Sequence, residues 1–150
     1  MPHSYTSQLI HCVFSTKERQ PTITDALQER LFPYIGGIAR TNGITLIAAG
    51  GVEDHIHLLI LLPKTISISK AMQLIKGGSS KWIHDTFPEH RLFEWQEGFG
   101  AFSVSIGSKE QVITYINNQR EHHSKRDFKS EFISFLDGHG IEYDERYVFN

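Results

Sequence analysis

From Leu58 to Leu62 the apolar residues run on without alternating, with Glu53-Asp54 ahead of them and Pro63 behind. Such a run predicts a strand over residues 53–63 that is buried on both faces. Residues 5–16 alternate instead: Leu9, His11 and Val13 fall on one face, and Ile10, Cys12 and Phe14 on the other, which predicts a first strand. Lys17 to Pro21 is a polar connection. Thr24 then reads as the N-cap of a helix over residues 25–40, with an apolar stripe of Leu27, Leu31, Tyr34, Ile35 and Ile38, ended by Asn42-Gly43. Ile44 to Ala49 predicts a second strand and Gly50-Gly51 a turn or bulge, so this strand and the 53–63 strand form an antiparallel hairpin.

Ser67 or Ser69 caps the next helix, whose stripe is Met72, Ile75, Ser79, Trp82 and Ile83. Gly77-Gly78 inside it marks a place for a bend. Residues 87–100 form a loop bearing Phe87, Phe93, Trp95 and Phe99. Residues 101–106 alternate as a strand, with Phe102, Val104 and Ile106 opposite Ser103 and Ser105. Ser108 caps a helix over residues 109–123. A short helix over 129–136 and a tail with Ile141, Tyr143, Tyr147 and Phe149 complete the chain. The order is β-α-β-β-α-β followed by extra helices. That is the ferredoxin-like split βαβ order of an α+β sandwich, an antiparallel four-stranded sheet with two helices on one face. No internal repeat or low-complexity segment interrupts it.

The chain's 150 residues make one domain, 1–150, with 39% hydrophobic and 21% charged residues. A net charge of −2 supplies no global attraction for nucleic acid. The distribution is uneven, however. Residues 55–84 carry Lys64, Lys70, Lys76 and Lys81 and no acid, whereas residues 127–150 carry six acids against Lys129 and Arg146. A locally basic face remains compatible with a phosphate ligand. Cys12 is alone, which excludes an intrachain disulfide and a cysteine zinc cluster and suits a reducing cytoplasm. The sequence shows no signal peptide and no membrane span.

Two histidines interrupt the apolar strand at its entry. Because residues two apart in a strand share a face, His55 and His57 project side by side. They are a ready pair of metal ligands, or else two hydrogen-bonded core histidines. On the 109–123 helix, Tyr115 and Gln119 stand one turn apart. A tyrosine hydroxyl beside a cation held by two histidines is a candidate nucleophile. Taken alone, Tyr115 reads as a packed amphipathic aromatic and Gln119 as a solvated helix residue.

His11 and Asp54 are candidates for orienting the histidine pair from behind, as is His122, with Glu53 as a further possibility; His122 or His123 is alternatively another ligand or a DNA contact. Consecutive helical residues diverge by ~100°, so at most one of His122 and His123 faces the site. Lys17, Arg19, Lys70, Lys76, Lys81 and Arg120 are candidate phosphate contacts, each with a solvated surface charge as the plainer reading. Trp95, Phe99 and Phe102 can stack on bases or fill the core.

Several stretches together resemble the HUH single-tyrosine transposases of 200/605-type insertion sequences and their REP-associated relatives. They are His11 to Arg19, Asp54 to Leu59, Ser67 to Lys81, Trp95 to Val104 and Tyr115 to His123, in family order over nearly the whole chain. The resemblance implies that His55, His57 and Gln119 ligate Mg²⁺ or Mn²⁺. It also implies that Tyr115 attacks a phosphodiester of single-stranded DNA to give a 5′-phosphotyrosine and a free 3′-OH. The expected partners are single-stranded DNA with hairpin-bearing element ends and a second copy of the chain, in a homodimer whose active sites can form in trans. A domesticated nicking enzyme that processes repeated palindromes shares every one of these residues. A non-catalytic nucleic-acid module on the same sheet predicts exposed aromatics on the central strands, where this chain has the histidine pair. A cupin-like metal site needs a glutamate shortly after His-x-His, where this chain has Leu58 to Leu62.

Overall fold

The computed structural model describes residues 3–124 and 126–149. Four strands, β1 (Leu9–Ser15), β2 (Thr45–Val52), β3 (His55–Leu61) and β4 (Gly100–Ser103), form one antiparallel sheet in the order β2-β3-β1-β4. This is the expected ferredoxin-like arrangement. Helices α1 (Asp25–Thr41) and α2 (Ile68–Thr86) cover one face. The side chains that face them are Ile10, Cys12 and Phe14 of β1 and Ile56, Leu58 and Ile60 of β3, packed on Leu27, Leu31, Ile35, Met72 and Ile75. The β1 face is therefore core. Thr24 Oγ1 caps α1 by accepting from the Leu27 amide at 3.1 Å, and Ser67, not Ser69, caps α2.

The opposite face carries the rest of the chain. Helices α3 (Lys109–Asn117), α4 (Gln119–His123) and α5 (Phe128–Gly138) follow β4. Ile116 of α3 packs with Leu9 and Leu59, and Phe128, Phe132 and Leu136 of α5 pack with Val13 and Phe102. Both faces of β3 are thus covered, which is why its residues do not alternate.

Several boundaries differ from the sequence reading. Gly50 and Gly51 lie inside β2, and the reversal falls at residues 53–54. An alanine Cβ at Gly50 would sit 2.1 Å from the Ile116 carbonyl oxygen, so glycine is there to admit α3 rather than to turn the chain. α2 runs unbroken through Gly77-Gly78, and Gly78 instead gives room to Ile38 of α1. β4 stops at Ser103 because Ile106 turns to solvent in a 3-10 turn. The predicted 109–123 helix is broken at Asn118, whose backbone (φ −108°, ψ 30°) leaves the helical region. Among the described residues, no helix is long and apolar enough to cross a membrane.

Candidate active site

His55 and His57 enter on the β3 face that α3 and α5 cover, and both are 0% exposed. Full burial of two imidazoles requires partners for their ring nitrogens. Asp54 Oδ1 lies 2.7 Å from His55 Nδ1, and His11 Nε2, from the neighbouring β1, lies 2.8 Å from His57 Nδ1. His11 and Asp54 thus stand behind the pair.

The tyrosine arrives on α3, which the Val112, Ile113 and Ile116 seam fixes onto Leu9 and Leu59. The Tyr115 ring centroid is 5.7 Å from that of His57 and 6.3 Å from that of His11. At the break the Tyr115 carbonyl accepts the Asn118 amide at 3.3 Å, and Gln119 Nε2 donates to it at 3.0 Å. Gln119 is 2% exposed, and its Oε1 is buried with no hydrogen-bond partner among the described residues. The same break lets both following histidines reach the site, against the expectation that at most one would. His123 Nε2 lies 3.0 Å from His55 Nε2, while His122 stacks on Tyr115 with 4.5 Å between centroids.

One residue at the centre went unrecognised in the sequence. Glu131 of α5 is 2% exposed, and its carboxylate meets His55, His57, His123 and Tyr115. Oε1 lies 3.0 Å from His57 Nε2 and 3.4 Å from His55 Nε2. Oε2 lies 3.1 Å from His123 Nε2 and accepts the Tyr115 hydroxyl. Burial alone would favour its neutral acid, but hydrogen bonds with His123, His55 and His57 outweigh that and hold it as a carboxylate, far below the ordinary range.

An ionised carboxylate only accepts, so His57 Nε2 carries a proton toward it. In neutral His57, Nδ1 is then the acceptor, and His11 donates to it from Nε2. Burial, helped by repulsion from His57, pushes the His11 pKa down to about 3, so His11 stays neutral. Burial also opposes charge on His55, but Asp54 and Glu131 overcome it and raise its pKa. For Tyr115, burial and then the bond to Glu131 push the pKa up, while a side-chain hydrogen bond with Gln119 pulls the other way. In this arrangement the phenol is protonated.

The donor set fits a divalent cation. Nitrogens of His55, His57 and His123 and a Glu131 oxygen all lie within 4.8 Å of one another.

The candidate phosphate contacts lie apart from this cluster or are otherwise engaged. Lys70, Lys76 and Lys81 ride on α2, on the far side of the sheet. Lys76 Nζ donates to the carbonyls of Gln96, Glu97 and Gly98 at 2.6, 3.1 and 2.8 Å, tying down the loop before β4. Lys81 pairs with Asp85, Lys17 with Glu94, and Arg120 with Glu53 and Asp25. Arg19 lies over the Phe149 ring at 5.6 Å. Of the aromatics, Trp95 and Phe102 are buried, whereas Phe99 is only half-buried.

The family model described as "Transposase IS200 like" matches residues 4–119. The ISDra2 transposase TnpA of Deinococcus radiodurans is 24% identical over 123 residues, covering 78% of this chain and 88% of that protein. The transposase for insertion sequence element IS200 of Salmonella typhimurium is 24% identical over 127 residues, covering 81% of this chain and 82% of that one. Among solved structures, a Deinococcus radiodurans protein described as a transposase superposes with a TM-score of 0.66 at 24% identity, over 78% of this chain and 94% of that chain. A REP-associated tyrosine transposase bound to a REP hairpin gives 0.57 at 15% identity, over 76% and 67%. The family match takes in His55, His57, Tyr115 and Gln119 and ends before His123 and Glu131. With that match spanning most of its length, the chain belongs to the IS200-like transposase family.

Proposed function

We propose that this transposase cleaves and rejoins single-stranded DNA through a covalent 5′-phosphotyrosine at Tyr115. The observation that carries the reading is the convergence of the Tyr115 hydroxyl with His55, His57 and His123 on one buried carboxylate, Glu131. Tyr115 is the nucleophile. Its hydroxyl leaves its proton with the Glu131 carboxylate, the phenolic oxygen bonds to phosphorus, the P–O3′ bond breaks, and the 3′ oxygen takes up a proton and departs as a hydroxyl. In the reverse step a 3′-OH attacks the phosphotyrosine and restores the phenol, so a strand is rejoined without an external energy source. An unperturbed phenol has a pKa of ~10. Burial and then Glu131 hold Tyr115 protonated, so attack requires the phenolic oxygen to turn from this partner to the phosphate, with the Gln119 side chain supporting the phenolate.

His55 and His57, with Gln119 as first expected or with His123 and Glu131, would hold Mg²⁺ or Mn²⁺. Such an ion, when bound, withdraws charge from the scissile phosphate and the departing 3′ oxygen. Asp54 on His55 Nδ1 leaves that ring's Nε2 facing the cluster, and neutral His11 can accept a hydrogen bond at Nε2 from His57 Nδ1–H when His57 Nε2 turns to a cation. Mixing imidazole with carboxylate favours Mn²⁺ over Mg²⁺ as the tighter ligand. The substrates are hairpin-bearing single strands, in keeping with the REP hairpin bound by one structural neighbour.

The test is a denaturing gel of labelled single-stranded DNA carrying candidate hairpins, with Mg²⁺ or Mn²⁺. Wild type is expected to give a shifted covalent band and Tyr115→Phe none, while Tyr115→Phe still binds DNA. An adduct with Tyr115→Phe would assign the nucleophile elsewhere. His57→Ala is expected to lose both Mn²⁺ binding by calorimetry and cleavage.

A further inference from the structure

Between α4 and α5 a cleft of about 260 Å³ leads from solvent to the nucleophile, lined by Tyr115, Glu121, His122, His123, Arg126 and Glu131. Of these six, Arg126 is the one permanent cation. Its Nη2 donates to the Ser130 carbonyl at 3.0 Å and to the Ser134 hydroxyl, oxygens one turn apart on α5. Both partners are neutral, and among the described residues no carboxylate forms an ion pair with it. Lys17, Lys81 and Arg120 differ, for their charges are matched by Glu94, Asp85, and Glu53 with Asp25. The guanidinium also lies close enough to Tyr115 for its charge to favour the phenolate.

We propose that Arg126 seats the scissile phosphodiester in this cleft, against the Tyr115 hydroxyl. This rests on the covalent reading given above. A phosphodiester carries one negative charge on two non-bridging oxygens, which a guanidinium fork can hold with two parallel hydrogen bonds. In the state described, Ser130 and Ser134 keep the fork at the cleft wall. The arriving phosphate replaces the Ser134 hydroxyl as acceptor and brings phosphorus to the tyrosine while Glu131 gives up the phenol. The charge on Arg126 then opposes the negative charge that builds on the phosphoryl oxygens as the Tyr115 O–P bond forms and the P–O3′ bond breaks.

Arg126 is exposed, so its replacement leaves the core untouched. With saturating single-stranded DNA, Arg126→Ala is expected to form the Tyr115 adduct about 10²-fold more slowly than wild type, as for loss of one preorganised donor, with little change in DNA Kd. Arg126→Lys, which keeps the charge and loses the fork, is expected to fall between them. Adduct formation by Arg126→Ala at the wild-type rate would overturn the proposal.

A second measurement separates this proposal from the covalent reading. In Tyr115→Phe protein, the Arg126 Nε–Hε resonance, assigned by its loss in Arg126→Lys, is expected to shift on titration with dimethyl phosphate and with a short single-stranded oligonucleotide. No shift with either ligand would overturn the proposal, whatever the gel shows. A shift combined with no wild-type adduct would leave Arg126 as an anion site and refute Tyr115 as nucleophile.

Discussion

At the residue scale the site is a chain of hydrogen bonds with one anion at its centre. His11 supports His57, His57 and Tyr115 meet on Glu131, and each ring nitrogen's role follows from that carboxylate's being ionised. Burial of a neutral histidine has a cost that depends on pH. In the unfolded chain His11 titrates near 6.5, and in the folded protein near about 3. Between those values the unfolded state binds a proton that the folded state does not, so stability from this residue is full above 6.5 and is lost as pH falls toward about 3. The loss between about pH 7 and about pH 5 is roughly 2 kcal/mol, at ~1.4 kcal/mol per unit below 6.5. His11→Gln, which keeps a donor for His57, should flatten the stability difference between these two pH values by about that amount in urea denaturation. An unchanged slope would place the pH sensitivity elsewhere. Glu131→Gln keeps shape and removes the anion. It should lower the Tyr115 pKa in a spectroscopic phenol titration and weaken Mn²⁺ binding, because the phenol is held protonated partly by this carboxylate.

At the scale of elements, α3 is the part that must be placed to within an ångström, and its seating depends on a missing side chain. The β2 backbone at Gly50 approaches the Ile116 carbonyl so closely that a Cβ there would lie 2.1 Å from the oxygen and 3.0 Å from the carbon. Backbone cannot swing aside as a side-chain tip can. Gly50→Ala should therefore lift α3, cost about 1–3 kcal/mol, and move Tyr115 away from His57. A lower melting temperature together with a lost adduct is expected; a variant that melts and reacts like wild type would show that α3 is not seated by this contact. Neither Gly50 nor Glu131 could have been placed from the sequence, and for one reason: each acts through a tertiary approach. Gly50-Gly51 carries an ordinary turn signature, and Glu131 is one acid in an acid-rich tail. The two sheet histidines were legible because a strand's period of two fixes them on one face whatever packs above. Tyr115 and Gln119 were singled out by a helical spacing that the break at Asn118 interrupts, and their roles came from the family resemblance. The continuous 109–123 helix was wrong because nothing in the apolar period marks the break at Asn118, and that break decides where His122 and His123 point.

At the scale of the whole molecule, the sheet divides structural work from chemical work. α1 and α2 close one face over a conventional core, whereas α3, α4 and α5 close the other over the histidines. Every group proposed for the chemistry belongs to that second layer or to the strand face beneath it, and one chain brings them together: the Tyr115 and His57 ring centroids are 5.7 Å apart, and Tyr115 shares Glu131 with His57. An exchange of the tyrosine between two copies would first have to lift α3 off the Leu9–Leu59–Ile116 cluster, exposing a fully buried side chain until the other copy's α3 takes its place. Loss of such burial costs on the order of 2–3 kcal/mol for Ile116 alone. The expectation is therefore that Tyr115 acts on the phosphate held by its own chain's histidines. Mixing Tyr115→Phe with His57→Ala tests this directly, since a trans site would pair the intact tyrosine of one with the intact histidines of the other. No covalent adduct is expected at any mixing ratio. Recovery of adduct in the mixture, with each variant inactive alone, would show that α3 crosses between copies and that the hydrogen bond from Tyr115 to Glu131 is broken in the reacting assembly.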